Sequence, residues 1–427
     1  MMVRHTYALR MNLSCGMAGM ALLCAVVNAE AADATLSRGA RLTVLEGPTP
    51  ISPPAAQFDA AGHLHLAWFE KRGLVGTVKA AVVAPENTQA PTAVRAHPEG
   101  SGPDAIHQSP GLAIGADGQQ YLTWSIANTT PGSLFASDLY LVRSKDGGQT
   151  FDAPVRINDD TRPIPHTFED VAVDSEGRIH MAWLDGRNKD RSGAGVHAAR
   201  SLDQGATVGA NQQVDGMACP CCRPMVRVAQ DGAVWMVWRK TFDGNVRDIV
   251  VARSTDQGAT FSAPRLVSRD GWVFDACPHR GPSIGFDRTG RVYIGWYTEG
   301  TDEQPRLFVA HSDDQGHTFS SPVSLHTETT SVPDNMRMAV HPDGHVVAVW
   351  EEVTGVRKRV VARASADRGQ TFGPMVTLST GAKAEHPTVA VLATGRVAIV
   401  WTEHVFPNNR IVLQWADIAE GDADTKK

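Results

Sequence analysis

Seven times along the chain a glycine opens a run of alternating apolar residues that closes on a tryptophan: GHLHLAW, GQQYLTW, GRIHMAW, GAVWMVW, GRVYIGW, GHVVAVW and GRVAIVW. The tryptophans are Trp68, Trp124, Trp183, Trp238, Trp296, Trp350 and Trp401, spaced 51 to 59 residues apart. Alternation puts each tryptophan and the residues two and four before it on one face of a β-strand. Each run therefore predicts a strand with one face in a core. Length alone favours two or three domains of about 150 residues each, but a recurring unit overrides that prior and points to one repeat architecture.

A second string, Ser-x-Asp-x-Gly-x-Thr, follows five of these runs: SKDGGQTF, SLDQGATV, STDQGATF, SDDQGHTF and SADRGQTF. Asp146, Asp203, Asp256, Asp314 and Asp367 each sit where a carboxylate accepts backbone N–H groups across a tight turn, and the following glycine tolerates positive φ. Five equivalent copies cannot all serve one reaction, so these aspartates are predicted to build turns. The strings resemble the Asp boxes of sialidase-like propellers, and the resemblance covers nearly the whole chain after its first 31 residues. It implies an all-β fold, a β-propeller of four-stranded antiparallel blades. Seven blades are expected, with six as the alternative if the first repeat, which lacks an Asp box, is a decoration. The third repeat reads as strands near Asp170–Val173, 178–183, Val196–Ser201 and a last one before Cys219. The seventh supplies three strands, and Arg41–Leu45 is the expected fourth, closing the ring and hiding both edges.

Residues 1–31 read as a signal peptide, with Arg4 and Arg10 before an apolar run from Leu13 to Val27 and small residues at Ala29 and Ala31. Residues 32–418 form the predicted propeller and 419–427 a polar tail. The apolar run is shorter than the roughly 20 residues that span a bilayer. A periplasmic or secreted protein without a membrane span is expected. Loss of Arg4, Arg10 and Glu30 leaves 38 basic against 45 acidic residues, a charge of −7, which argues against nucleic-acid binding. The oligomeric state is left open.

In propellers of the resembling kind, the ligand mouth is lined by loops that follow the tryptophan strands and loops that lead into each innermost strand. Sialidase chemistry needs arginines to clamp a carboxylate, a tyrosine nucleophile paired with a glutamate, and an aspartate acid/base. The resemblance thus implies Tyr297, Glu299 and Asp185 as catalytic candidates of a sialidase-like glycoside hydrolase. It implies Arg187, Arg239, Arg280 and Arg337 as binders of a glycan or another small anionic ligand. The match is incomplete: sialidases carry an early arginine followed by isoleucine and proline, and the corresponding PTPISPPAAQ has no arginine. The run Arg162-Pro163-Ile164-Pro165 comes two blades too late.

Four cysteines remain after the signal peptide, in ACPCCRP at 218–224 and DACPHRGP at 275–282. Both strings precede innermost strands of neighbouring repeats, and they resemble paired motifs in a subset of exported sialidase-like proteins. Cys219, Cys221, Cys222 and Cys277 with His279 offer two chemistries. One is disulfide formation, the default for an exported protein; the other is a soft site for copper or zinc. The expected function is glycan or anion binding or hydrolysis at the mouth, with a metal-binding or thiol-redox protein and a non-catalytic interaction scaffold as alternatives.

Overall fold

The computed structural model describes residues 35–419 apart from 74, 86, 88, 99–101, 103–107, 129, 131–134, 188–192 and 382. The predicted signal peptide, residues 1–31, and residues 420–427 of the polar tail lie outside the described residues. Strand β1 (Thr35–Gly47) comes first, and the repeats follow. The first gives β2 (Ala55–Phe58), β3 (Leu64–Arg72), β4 (Val75–Val83) and β5 (Val94–Arg95). The second gives β6 (Gly111–Ile114), β7 (Gln120–Ala127), β8 (Ser137–Ser144) and β9 (Val155–Arg156). From the third come β10 (His166–Val173), β11 (Ile179–Asp185), β12 (Ala194–Ser201) and β13 (Gln212–Ala218). From the fourth come β14 (Met225–Val228), β15 (Val234–Thr241), β16 (Arg247–Ser254) and β17 (Arg265–Leu266). The fifth supplies β18 (Ser283–Phe286), β19 (Val292–Thr298), β20 (Arg306–Ser312) and β21 (Val323–Ser324). The sixth supplies β22 (Val332–Val340), β23 (Val346–Thr354), β24 (Arg357–Ser365) and β25 (Val376–Thr377). Last are β26 (Ala384–Val391), β27 (Arg396–Val405) and β28 (Asn408–Ala419).

The fold is an all-β propeller of four-stranded antiparallel blades. Five such blades stand as separate sheets, formed by β2–β5, β6–β9, β18–β21, β22–β25 and the set β26, β27, β28 and β1. The strands of the third and fourth repeats are joined into a single eight-stranded sheet. This corrects the expectation of seven separate blades and its alternative of six. The reason is local: the outer strand β13 runs on to Ala218 and pairs there with Lys240 of β15. The first repeat is a full four-stranded blade, not a decoration. Innermost strands pack side by side in the cyclic order β2, β6, β10, β14, β18, β22, β26 and back to β2. Strand β1 pairs antiparallel with β28, as Arg41↔Gln414 and Leu42↔Leu413, so the edge of the last blade is covered from the start of the described chain.

Both faces of each tryptophan strand are buried, where alternation predicted one. Blades stack face to face, so the face opposite the tryptophan meets the next blade. On β3, Leu64, Leu66 and Trp68 pack toward the last blade, while Ala67 and Phe69 pack toward the second. All seven tryptophans are at most 1 % exposed, and truncating a buried tryptophan to alanine typically costs about 3–5 kcal/mol.

The Asp boxes close these layers on the outside. In each, aspartate Oδ1 accepts the threonine backbone N–H at 2.9 Å, and the serine hydroxyl accepts the glycine N–H. The residue before that glycine is also left-handed, including Gln204, Gln257 and Gln315. This exposes carbonyls that the preceding blade uses: Arg143 donates to Asp203 and Gln204, and Arg200 to Asp256 and Gln257. The boxes are clips between neighbouring blades, and none of their aspartates lines the axial cavity described next.

Candidate functional site

A cavity of about 980 Å³ runs along the axis, walled by the innermost strands and the segments leading into them. Met225 and Arg227 of β14 and Arg223 just before it, alternate residues of the chain, line it, as the two-residue period of extended chain requires; Cys221 lines it from the preceding turn. Three innermost strands carry bulges, between Thr167 and Asp170, Asp334 and Arg337, and Glu385 and Thr388. The bulged residues Phe168, Asn335 and His386 have φ of 60°, 48° and 53° and line the cavity. Bulges of this kind re-aim a side chain at the expense of one ladder pairing.

Charge in the cavity is dominated by arginine. Arg223 donates to the Ser109 hydroxyl at 2.9 Å and the Ser109 carbonyl at 2.6 Å, and lies 3.9 Å from Glu169. Arg227 donates to Asp170 at 2.6 Å. Arg337 donates to the Met336 carbonyl at 3.0 Å and pairs with no carboxylate among the described residues. Burial and the facing charges of Arg223 and Arg227 push its guanidinium down to about 10, with Asp170 as the opposing influence. It remains a cation at neutral pH. Burial raises the Glu169 carboxyl, which weakens it as a counter-charge.

Behind the cavity wall, the buried Tyr297 donates its hydroxyl to Glu299 Oε1 at 2.5 Å, and the Arg280 guanidinium lies 3.8 Å from the tyrosine ring centre. Arg280 also bonds Asp334 at 2.9 Å, which ties the cluster to the cavity wall. Burial pushes the Tyr297 phenol up; Arg280 opposes this and Glu299 adds to it.

The structure thus brings Tyr297, Glu299 and Arg280 together, though none of the three lines the cavity, and puts Arg337 on its wall. Arg239 lies elsewhere in function: it is fully buried, donates to the carbonyls of Arg280, Arg247 and Tyr297, and stacks on Trp272 at 4.8 Å. Asp185 accepts the Trp183 indole N–H at 2.8 Å and is 1 % exposed. Glu403 holds Trp401 in the same way at 2.9 Å, so Asp185 fills a position that recurs between blades. Arg187 is engaged with Asp185, Asp159 and Asn211. Neither Asp185 nor Arg187 lines the cavity. Arg223 was among the charged residues expected in the loops leading into innermost strands, whereas Arg227 and Asp170 were not singled out from the sequence. The alternation of Arg223, Met225 and Arg227 leading into and along β14 is the signal that puts these three on one face.

The two cysteine strings meet at the cavity wall. The Sγ atoms of Cys219, Cys221 and Cys222 lie within 4.8 Å of one another, and so do the Sγ atoms of Cys221 and Cys277 and a ring nitrogen of His279. Cys219 Sγ is 2.7 Å from Cys222 Sγ, closer than two non-bonded sulfurs rest, and 3.9 Å from Cys221 Sγ. Arg247 approaches the Cys219 sulfur at 3.5 Å. The glycine of the second string is required by contact: a β-carbon on Gly281 would sit 2.4 Å from the Arg223 carbonyl oxygen.

Repeats, clips and an axial cavity describe a known kind of propeller. Residues 79–271 match the BNR repeat-like domain. That match spans less than half of the chain. No curated protein matches the sequence. Among solved structures, a protein of unknown function from Dyadobacter fermentans superposes with a TM-score of 0.56 at 15 % identity, over 90 % of this chain and 99 % of that one. The polysaccharide lyase Uly1 superposes with a TM-score of 0.58 at 10 % identity, over 89 % and 99 %. The Hadza microbial sialidase Hz136 gives 0.50 at 15 % identity, over 91 % and 93 %. At these identities the likeness is one of fold. No helix among the described residues is long and apolar enough to cross a membrane.

Proposed function

We propose that the protein binds an acidic saccharide in the axial cavity, its carboxylate or sulfate held by Arg337 with Arg223 and Arg227. The observation that carries this reading is the half-buried Arg337 guanidinium, set beside two further arginines on the cavity wall and lacking a carboxylate partner among the described residues. Burying an unpaired charge is costly, and an incoming anion offsets that cost with charge-assisted hydrogen bonds. The saccharide class is supported by the named activities of two similar structures, a polysaccharide lyase and a sialidase. Export through a leader at residues 1–31 belongs to the same reading, since extracellular and periplasmic polymers are where such ligands are met.

A second reading, hydrolysis of that saccharide, is favoured by the Tyr297–Glu299 contact with Arg280 over the ring. There Tyr297 would attack the anomeric carbon as Glu299 takes the phenol proton, the glycosidic C–O bond would break with water protonating the leaving oxygen, and a second water would release the sugar from the tyrosine. Calorimetry with matched acidic and neutral oligosaccharides tests the main reading. Binding confined to the acidic members, weakening as salt rises, is expected; equal binding of neutral members contradicts it.

A further inference from the structure

The cysteine cluster supplies none of the arginine contacts assigned to a saccharide. We propose that Cys221, Cys277 and His279 form a binding site for one thiophilic d10 cation, Cu(I) or Zn(II), on the wall of the axial cavity. Two sulfurs and an imidazole nitrogen already lie within 4.8 Å of one another, contributed by two separate loops, the spread that a single ion's ligands need. Sulfur and imidazole donors select soft or borderline ions over Mg²⁺ and Ca²⁺.

The framework holds these donors in place before any ion arrives. Gly281 locks the second loop against the Arg223 backbone, His279 has a left-handed φ of 55°, and the Phe168 ring packs on its imidazole at 5.9 Å between centres. Cys221 is buried, whereas Cys277 and His279 are exposed, so one side of the site is open to arrival from solvent. Cys221 and His279 also line the cavity, and an ion there borders the space assigned to the ligand. Behind it, Cys219 and Cys222 lie 2.7 Å apart, while Cys219 is 3.9 Å from Cys221. Those two sulfurs form an inner pair that leaves Cys221 to the metal. On binding, the Cys221 and Cys277 thiols each release a proton to solvent and the sulfurs donate to the ion; no oxidant or reductant is consumed.

The test uses the full chain, reduced without oxygen and freed of reductant, titrated separately with Zn²⁺ and with Cu⁺ against a chromophoric competitor. Bound metal is counted by mass spectrometry, and fold is monitored by circular dichroism. One equivalent of either ion is expected; preference for Cu⁺ marks a three-coordinate site and preference for Zn²⁺ one completed by water. Cys277→Ser and His279→Gln alter exposed side chains and should remain folded. Each is expected to weaken binding by at least the roughly 10- to 100-fold that loss of an outer-sphere partner costs a metal site, with Cys222→Ser much milder. Absence of binding by the folded, reduced chain overturns the proposal. So does binding that survives both exposed-residue variants, or a Cys221–Cys277 bridge that withstands millimolar reductant.

Discussion

Gly281 and Arg223 are in backbone contact, so close that a β-carbon at position 281 would lie 2.4 Å from the Arg223 carbonyl oxygen. This contact fixes the two cysteine loops against each other and sets the height at which the Arg223 side chain enters the cavity. Gly281→Ala must displace one backbone or the other, and overpacking of this kind costs about 1–3 kcal/mol. A lower urea midpoint is expected, together with weaker binding of both metal and saccharide. An unchanged midpoint would show that the loops are not held by this contact.

Asp185 anchors a buried indole and Arg187, away from the cavity. Asp185→Ala leaves the Trp183 N–H and the Arg187 guanidinium short of an acceptor, an effect of about 1–3 kcal/mol. Stability should fall while the folded fraction keeps its saccharide affinity. Loss of affinity at unchanged stability would return Asp185 to the site.

Acid should loosen the clips between blades. Asp203 is held down at about 2 by hydrogen bonds from Thr207, chiefly its hydroxyl, against about 3.9 for a free aspartate. A depressed folded value contributes stability that is complete above about pH 4 and is lost as pH falls toward 2. Comparing urea midpoints at pH 5 and pH 3 should show a decline that is shallower in Asp203→Asn. An identical pH slope in that variant would contradict the role given to the box.

The repeating parts of this fold were legible in the sequence, and the singular parts less so. Trp68 to Trp401, the five boxes and the closing strand around Arg41 follow from period and turn chemistry, which are local. The family resemblance, not period, paired Tyr297 with Glu299, and the two side chains do meet. Period could not tell which residues face the axis. Asp185 and Arg239 were assigned to the mouth because they follow tryptophans, yet the stacked blades turn both into the framework. Arg227 and Asp170 reach the cavity on short innermost strands, where position around the ring decides orientation. The merging of the third and fourth repeats turns on one pair, Ala218 with Lys240, which no spacing reveals.

Tyr297→Phe separates binding from hydrolysis. The ring under Arg280 is kept and only the hydroxyl bonded to Glu299 is removed. Saccharide affinity should stay within about threefold, under roughly 1 kcal/mol, and any turnover seen in the wild type should vanish. Turnover that persists in Tyr297→Phe would remove the tyrosine from the chemistry.

The central claim is that the half-buried Arg337 charge on the cavity wall recognises an anion. The direct measurement is calorimetric affinity for the same acidic oligosaccharide in wild type and in Arg337→Met, which keeps an extended apolar stem but removes the guanidinium. Losing one charged partner of a desolvated pair typically costs about 2–5 kcal/mol. A drop of at least about thirtyfold, with folding stability unchanged or raised, is the predicted result. Equal affinity in the two proteins would contradict the account.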